Sequence, residues 1–365
     1  MKNGVNIAGV SEVAHEVRDQ PIEAQLFYRG TATWDARGLF HARVGTVTLG
    51  TTRVGRDFRI YCTSGPRTPS TAPTLELLTP VEMFLVGAGA CLLTTIVLGS
   101  SSKGHTLMEG HLLMARAEPG QAWAAEYDVF MRGDMKADQL LETVEESSKR
   151  SANHRSLVER NTVAWSLSDP PSVMSRPSDI LVGTRDVAVA REQWPFASER
   201  RRSPGSTRHL GVRWDYGVQL SFWPDSEAAR QSRFPVDQPK QFGGMDRGPN
   251  PQEYLLSGLA ASVCETAAAL ARTRDINLQE VSCLAQGRVD LHGLLGLNPD
   301  VPDKIQDVSC ALSFRGNVTP EQQAALAKEA VETAEVSRLL TTAQPTRISI
   351  AKDGEHLRDL ISSEA

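Results

Sequence analysis

The sequence predicts an α+β fold made of two copies of one plan, and three observations carry that prediction. Residues 80–92 read PVEMFLVGAGACL and residues 251–263 read PQEYLLSGLAASV, in register at an offset of 171 residues, so the chain repeats internally. Each copy opens a helix that is apolar on every side, as the centre of a soluble domain requires. Around each helix, strand-like alternation comes in runs and is followed by an amphipathic helical stretch, the mark of helices packed on antiparallel sheet rather than interleaved strand by strand.

The elements follow in order. Ahead of the first apolar helix, FHARVGTVTLG and DFRIYC alternate like strands; ahead of the second, GVRWDYGVQLSFW does the same. After the helices come TLMEGHLLMARA with EYDVFMRG, and EVSCLAQGRVDLHG with QDVSCALSFRG. Amphipathic helices are expected at 137–149 and 320–334. The second begins Thr319-Pro320-Glu321-Gln322, a Thr cap with Pro at the first helical position and an acidic first turn. Each half closes on a β-branched strand, NTVAWSL or TRISIA. SDPPSVMSRPSD (168–179) reads as an inter-domain linker and SERRRSPGSTRH (198–209) as a basic loop. The domains are therefore 20–167 and 206–355, joined by 168–205.

With 365 residues, the chain is long enough for two cores. Thirty-nine Lys and Arg against 44 Asp and Glu give a net charge of −5, so no basic excess steers it to nucleic acid or an acidic membrane. Residues 81–99, VEMFLVGAGACLLTTIVLG, approach the length of a membrane span. Glu82, two threonines and the lack of a basic flank argue against one, and the second copy continues with Glu265 and two arginines. No secretory signal is visible at the start. Five cysteines without a CxxC pair fit a reducing cytoplasm. Eight histidines without metal spacing predict neither metal nor cofactor.

VDQPKQFGGMDRGPNPQEYLLSGLAAS (236–262) resembles the signature of the OsmC/Ohr superfamily, the osmotically inducible and organic hydroperoxide resistance proteins. It has Asp-x-Pro, a GlyGly turn, GlyProAsnPro, Glu-x-LeuLeu and then small residues. VDLHGLLGLNP and AEVSRLLTTAQPTRISI match later parts of that pattern. The resemblance is strong over 210–352 and weaker but in register over 25–167, which makes the chain a divergent tandem member. It implies two central helices packed back to back and wrapped by sheets from both copies, here as an intramolecular pseudo-dimer with sites at the interface. It also implies a helix cysteine that attacks a peroxide, a second cysteine that resolves the sulfenic acid, and an Arg and a Glu that hold the first sulfur as thiolate.

Carried over residue by residue, the helix cysteine is Cys91 in the first copy and Ser262 in the second. Cys264 lies two helical steps from Ser262, about 200° away, and faces elsewhere. The resolving motif has become Ser151-Ala152-Asn153-His154 in the first copy and Ala334-Glu335-Val336-Ser337 in the second, so one expected redox sulfur of four remains. The acids are Glu82 and Glu253, for which helix capping is the competing role. The arginines are Arg56 or Arg230, with Arg59 and Arg233 three residues on and Arg37 as a contender from an early loop. His154 is either a proton shuttle for Cys91 or a surface histidine, and Ser262 lacks a neighbouring base. Cys62, Cys264, Cys283 and Cys310 read as core residues, with a Cys283–Cys310 disulfide open.

Two functions follow as expectations. One is single-cysteine reduction of an organic hydroperoxide, with an external thiol closing the cycle. The alternative is a non-redox descendant that binds a small, apolar molecule or acts as a biosynthetic catalyst, which the loss of three sulfurs favours. In both cases the partner is a small-molecule substrate.

Overall fold

The computed structural model describes residues 1–37, 40–64, 77–117, 125–169, 180–182, 206–224 and 234–362. The chain begins with helix α1 (Ile7–Asp19), then runs through strands β1 (Gln25–Asp35), β2 (Phe40–Val44), β3 (Val47–Leu49), β4 (Thr52–Val54) and β5 (Phe58–Tyr61) to helix α2 (Pro80–Ser102). Next come β6 (Leu107–Ala117), β7 (Ala125–Gly133), α3 (Ala137–Arg150), α4 (Ala152–Val158), β8 (Ala164–Leu167) and β9 (Ile180–Val182). The second half runs β10 (Ser206–Tyr216), β11 (Gln219–Pro224), β12 (Phe234–Val236), α5 (Pro251–Thr273), β13 (Asn277–Asp290), α6 (Leu291–Leu294) and β14 (Gln306–Asn317). It closes with α7 (Pro320–Thr333), α8 (Glu335–Thr341), β15 (Thr346–Lys352) and β16 (Glu355–Ser362). The fold is α+β. Helices α1, α4 and α6 and strands β1, β12 and β16 add to the elements read from sequence, and residues 206–209 belong to β10 rather than to a basic loop. The linker stretch from 170 to 179 and the basic segment up to residue 205 lie outside the described residues.

Each sheet draws strands from both halves. The first runs β8-β14-β13-β1-β2-β5-β9, with β3 and β4 attached to β1; the second runs β12-β11-β10-β6-β7-β15-β16. β1 pairs antiparallel with β13 from Gln25↔Asp290 to Asp35↔Glu280, and β10 pairs antiparallel with β6. The closing strand of each half crosses over: β8 lies parallel to β14 and β15 lies parallel to β7. The sheets are therefore mixed, not purely antiparallel. After α3–α4 or α7–α8 the chain returns in the direction of its new neighbour, and a helical crossover of that kind delivers a parallel strand.

The two long helices occupy the space between these sheets, and both are capped the same way. Thr79 Oγ1 accepts from Glu82 N and the Glu82 carboxylate accepts from Thr79 N; Asn250 and Glu253 repeat the exchange. Pro80 and Pro251 fill the first helical position, where the missing N–H removes no bond. Among the described residues, α2 and α5 are the two helices long and apolar enough to cross a membrane, but 89% and 78% of their most apolar stretches are buried inside the protein.

The helices meet backbone to backbone. A Cβ on Gly87 would sit 2.7 Å from Pro251 O and 2.8 Å from Leu255 N. A Cβ on Gly258 would sit 2.7 Å from Pro80 O and 2.8 Å from Phe84 N. The two contacts are reciprocal at the offset of 171 residues, and each glycine is there because nothing larger fits. Gly87→Val is expected to lower stability by about 2–3 kcal/mol through overpacking, read as a reduced denaturant midpoint with an unchanged slope.

Candidate functional site

The site begins with a loop that the second half builds for a residue of the first. After β12, Asp237 turns its carboxylate inward, and Oδ2 accepts from Met245 N and Arg247 N, both at 3.0 Å. Gly243 ends the intervening turn at φ +76, in the left-handed region open to glycine. The Asp-x-Pro and GlyGly positions of the sequence motif thus brace one loop, and Asn250 passes it into α5.

Arg56, 1% exposed, enters this loop from the segment ahead of β5. Its Nε donates to Glu253 Oε1 at 3.0 Å and its Nη2 to Glu253 Oε2 at 2.9 Å. Nη2 also donates to Gly248 O at 2.8 Å and Asp237 O at 3.2 Å, and Nη1 is ion-paired with Asp246. The guanidinium carbon lies 4.9 Å from the Phe58 ring centroid. Burial pushes the Glu253 carboxyl above its ordinary value, opposed by the charge of Arg56 and the hydrogen bonds from Arg56 and Asn250 N.

Cys91 lies on α2 where that helix faces α4 and the start of α5, and is 7% exposed. Burial raises its thiol above the ordinary value. Four donors work against that: the Ser151 hydroxyl, the backbone N–H groups of Asn153 and Ala152, and the Gln252 carboxamide, whose Nε2 is 3.7 Å from Sγ. Asn153 Nδ2 donates to Gly87 O at 2.7 Å, one turn before Cys91, and fixes α4 against α2. Several polar atoms in this shell, Ser151 Oγ, Asn153 Oδ1, Gln252 Oε1 and Asn250 Nδ2, are buried without a full hydrogen bond.

Two phenols flank the sulfur, one from each sheet. Tyr28 on β1 is raised well above the usual phenol range by burial first and then by the Glu253 charge; Arg56 opposes this and Cys91 adds to it. Tyr28 thus feels the charge of both the Arg56–Glu253 pair and Cys91. Tyr127 on β7 is raised by burial and by Cys91, and its hydroxyl is 3.2 Å from His154 Nδ1. His154 is 1% exposed, and burial lowers its pKa to about 3, so the imidazole is neutral at physiological pH. The surface alternative for His154 is overturned. α4 packs its first turn inward because Asn153 and the Cys91 contacts hold it there.

The structure brings Ser151 and Gln252 to Cys91 and His154 to Tyr127, and it ties Arg56 to Glu253. It does not put Arg56 in hydrogen-bond contact with the sulfur; the guanidinium is committed to two carboxylates and two carbonyls. Glu82 caps α2 nine residues before Cys91, and Arg37 pairs with Asp35 at the surface, its side chain 87% exposed. Arg230 and Arg233 lie outside the described residues. In the second half, Ser262 Oγ accepts from Val336 N at 3.2 Å, in the place where Asn153 N meets Cys91. Cys264 points the other way, to Ala32 O and Val281 O. All five cysteines are free, buried thiols, so the Cys283–Cys310 disulfide is not formed. Among the described residues no three His, Cys, Asp or Glu side chains gather to hold a metal ion. Sequence reading missed Tyr28, Tyr127, Asn153, Gln252 and Asp246. The signal for Gln252 was its place beside Glu253 in the helix-start motif; the tyrosines come from distant strands and carry no local signal.

The family model described as OsmC-like protein matches residues 244–349, inside the 210–352 stretch whose motifs resemble that family. Among solved structures, the crystal structure of an OsmC like protein from Mycoplasma pneumoniae is similar at 20% sequence identity and a TM-score of 0.27, covering 36% of this chain and 86% of that one. No curated protein matches.

Removing Arg56 leaves Glu253 buried without its cation. Arg56→Met is expected to destabilise the protein by about 3–5 kcal/mol, and Arg56→Met with Glu253→Met to recover much of that loss. Chemical denaturation of the two variants beside the parent protein checks this.

Proposed function

We propose that this chain, whose residues 244–349 match the OsmC-like family model, is a divergent member of that superfamily and reduces organic hydroperoxides through one cysteine, Cys91, with an external thiol as reductant. The Cys91 thiolate attacks the terminal oxygen of R–O–O–H. The S–O bond forms as the O–O bond breaks, the electron pair leaves on the alkoxide, and a proton converts that to the alcohol. Cys91 becomes a sulfenic acid. One external thiol condenses with it to a mixed disulfide and releases water, and a second thiol restores Cys91 and leaves as a disulfide.

The observation that carries this reading is the polar shell on one sulfur: the Gln252 carboxamide, whose Nε2 is 3.7 Å from Sγ, with the backbone N–H groups of Ala152 and Asn153 and the Ser151 hydroxyl beside it. Such donors favour a thiolate and the oxygen it acquires. The tandem arrangement belongs to the same proposal. Residues 20–167 and 206–355 are two OsmC-like copies joined by 168–205 and folded as an intramolecular pair, supported by the reciprocal Gly87 and Gly258 contacts. In this pair the first copy keeps the chemistry, and the second keeps a serine tied to the backbone. The five free thiols support a reducing, cytoplasmic setting.

A second reading, non-redox binding of a small apolar molecule, is favoured by the commitment of Arg56 to Glu253 and Asp246. Family chemistry places a guanidinium at the sulfur. Here burial keeps the thiol above its ordinary pKa.

Cys91→Ser is expected to lower peroxide consumption with a dithiol to the uncatalysed background. Because the thiolate is the nucleophile and the folded pKa is raised, the rate constant for Cys91 with cumene hydroperoxide should rise roughly tenfold per pH unit between about pH 6 and 8. Stopped-flow oxidation across that range checks it; a plateau at neutral pH overturns the raised thiol pKa, and full turnover by Cys91→Ser excludes the enzymatic reading.

A further inference from the structure

The place where relatives keep a resolving sulfur holds Ser151, which is fully buried and leans its hydroxyl on Cys91 without completing a hydrogen bond. Gln252 donates its Nε2 to the same sulfur, while its Oε1 is buried and has no donor. Asn153 donates Nδ2 to Gly87 O, and its Oδ1 is likewise buried without a donor. A buried polar atom left without a partner forfeits the hydrogen bond it would make in water. Three of them around one thiol mark a place prepared for a group that both gives and accepts hydrogen bonds. The thiol has one proton to donate, which cannot serve two empty acceptors.

The other sulfurs are elsewhere. Cys264 is held by carbonyls of β1 and β13, and Cys62, Cys264, Cys283 and Cys310 influence one another on the strand side of α5. None makes a hydrogen bond to Cys91 among the described residues.

We propose that Ser151, Gln252 and Asn153 form a cradle that retains Cys91 as a sulfenic acid, so that the oxidised protein is a long-lived state instead of a passing intermediate. The inference rests on the enzymatic reading above and deepens it. The oxygen comes from an organic hydroperoxide, which leaves as its alcohol. In the cradle the new S–O–H donates to Gln252 Oε1 or Asn153 Oδ1, and its oxygen accepts from the Ser151 hydroxyl. Those contacts hold the oxidised sulfur away from a second peroxide and leave it for an external thiol.

The test treats the full chain with a several-fold molar excess of cumene hydroperoxide without reductant and follows its intact mass over time. The expected result is one added oxygen on Cys91, persistent and trapped by dimedone. Gln252→Met keeps the volume but removes the acceptor, and should advance to two oxygens at least roughly tenfold faster than the parent. Ser151→Cys puts a sulfur in the resolving place and should lose two hydrogens, as a disulfide between Cys91 and the introduced thiol, instead of keeping an oxygen. That variant remains informative if Gln252→Met fails to fold. A parent protein that advances to two oxygens as fast as Gln252→Met overturns the inference alone, and so does a Ser151→Cys variant that forms no disulfide while the parent is oxidised. No oxidation of Cys91 in the parent or in either variant overturns both the inference and the enzymatic reading.

Discussion

The contact between α2 and α5 sets the terms for the rest of the molecule. Gly87 rests on Pro251 and Leu255, and Gly258 rests on Pro80 and Phe84, so two apolar helices approach to a distance no side chain would allow. Because they touch at their N-terminal parts, the start of α5 is brought beside the middle of α2. That places Gln252 against Cys91 and Glu253 within reach of Arg56. The exchange of strands between halves follows the same constraint. Two helices buried back to back need cover on both sides, and sheets that each take strands from both halves supply it.

Around the sulfur, the balance between desolvation and hydrogen bonding decides the chemistry. A guanidinium next to Cys91 would shift the thiol toward thiolate by direct charge. This chain commits its buried guanidinium to a structural task. Arg56 ties the first half to the loop 237–250 of the second, through two carboxylates and two carbonyls. What remains for Cys91 is a set of neutral donors and two protonated phenols, which stabilise an anion less than a full positive charge. The result is a thiol still above its ordinary pKa.

At the matching position on the two long helices, the halves carry different side chains. Cys91 and Ser262 hold equivalent places, each accepting from the first turn of the short helix that follows the amphipathic one. In the second half Val336 N satisfies the serine oxygen and the site ends there. In the first half the equivalent helix starts with Ser151, Asn153 and His154, and His154 meets the Tyr127 hydroxyl.

Reading along the chain was enough for the two apolar helices with their Pro and Glu starts, for several of the strand runs around them and for Cys91 as a thiol on the first helix. Each is a local pattern: a periodicity, a cap, or a short motif whose residues act on neighbours a few positions away. Asp237, the GlyGly turn and Asn250 belong to the same class, since one loop uses all of them. The strand exchange, the parallel closing strands and the cross-half partners of each site residue emerged only when the layers were assembled. Tyr28 and Tyr127 come to Cys91 from opposite sheets, and Arg56 finds Glu253 at a separation of 197 residues. Pairings of that span depend on how two layers fold around a helix crossing, and no periodicity along the chain encodes them.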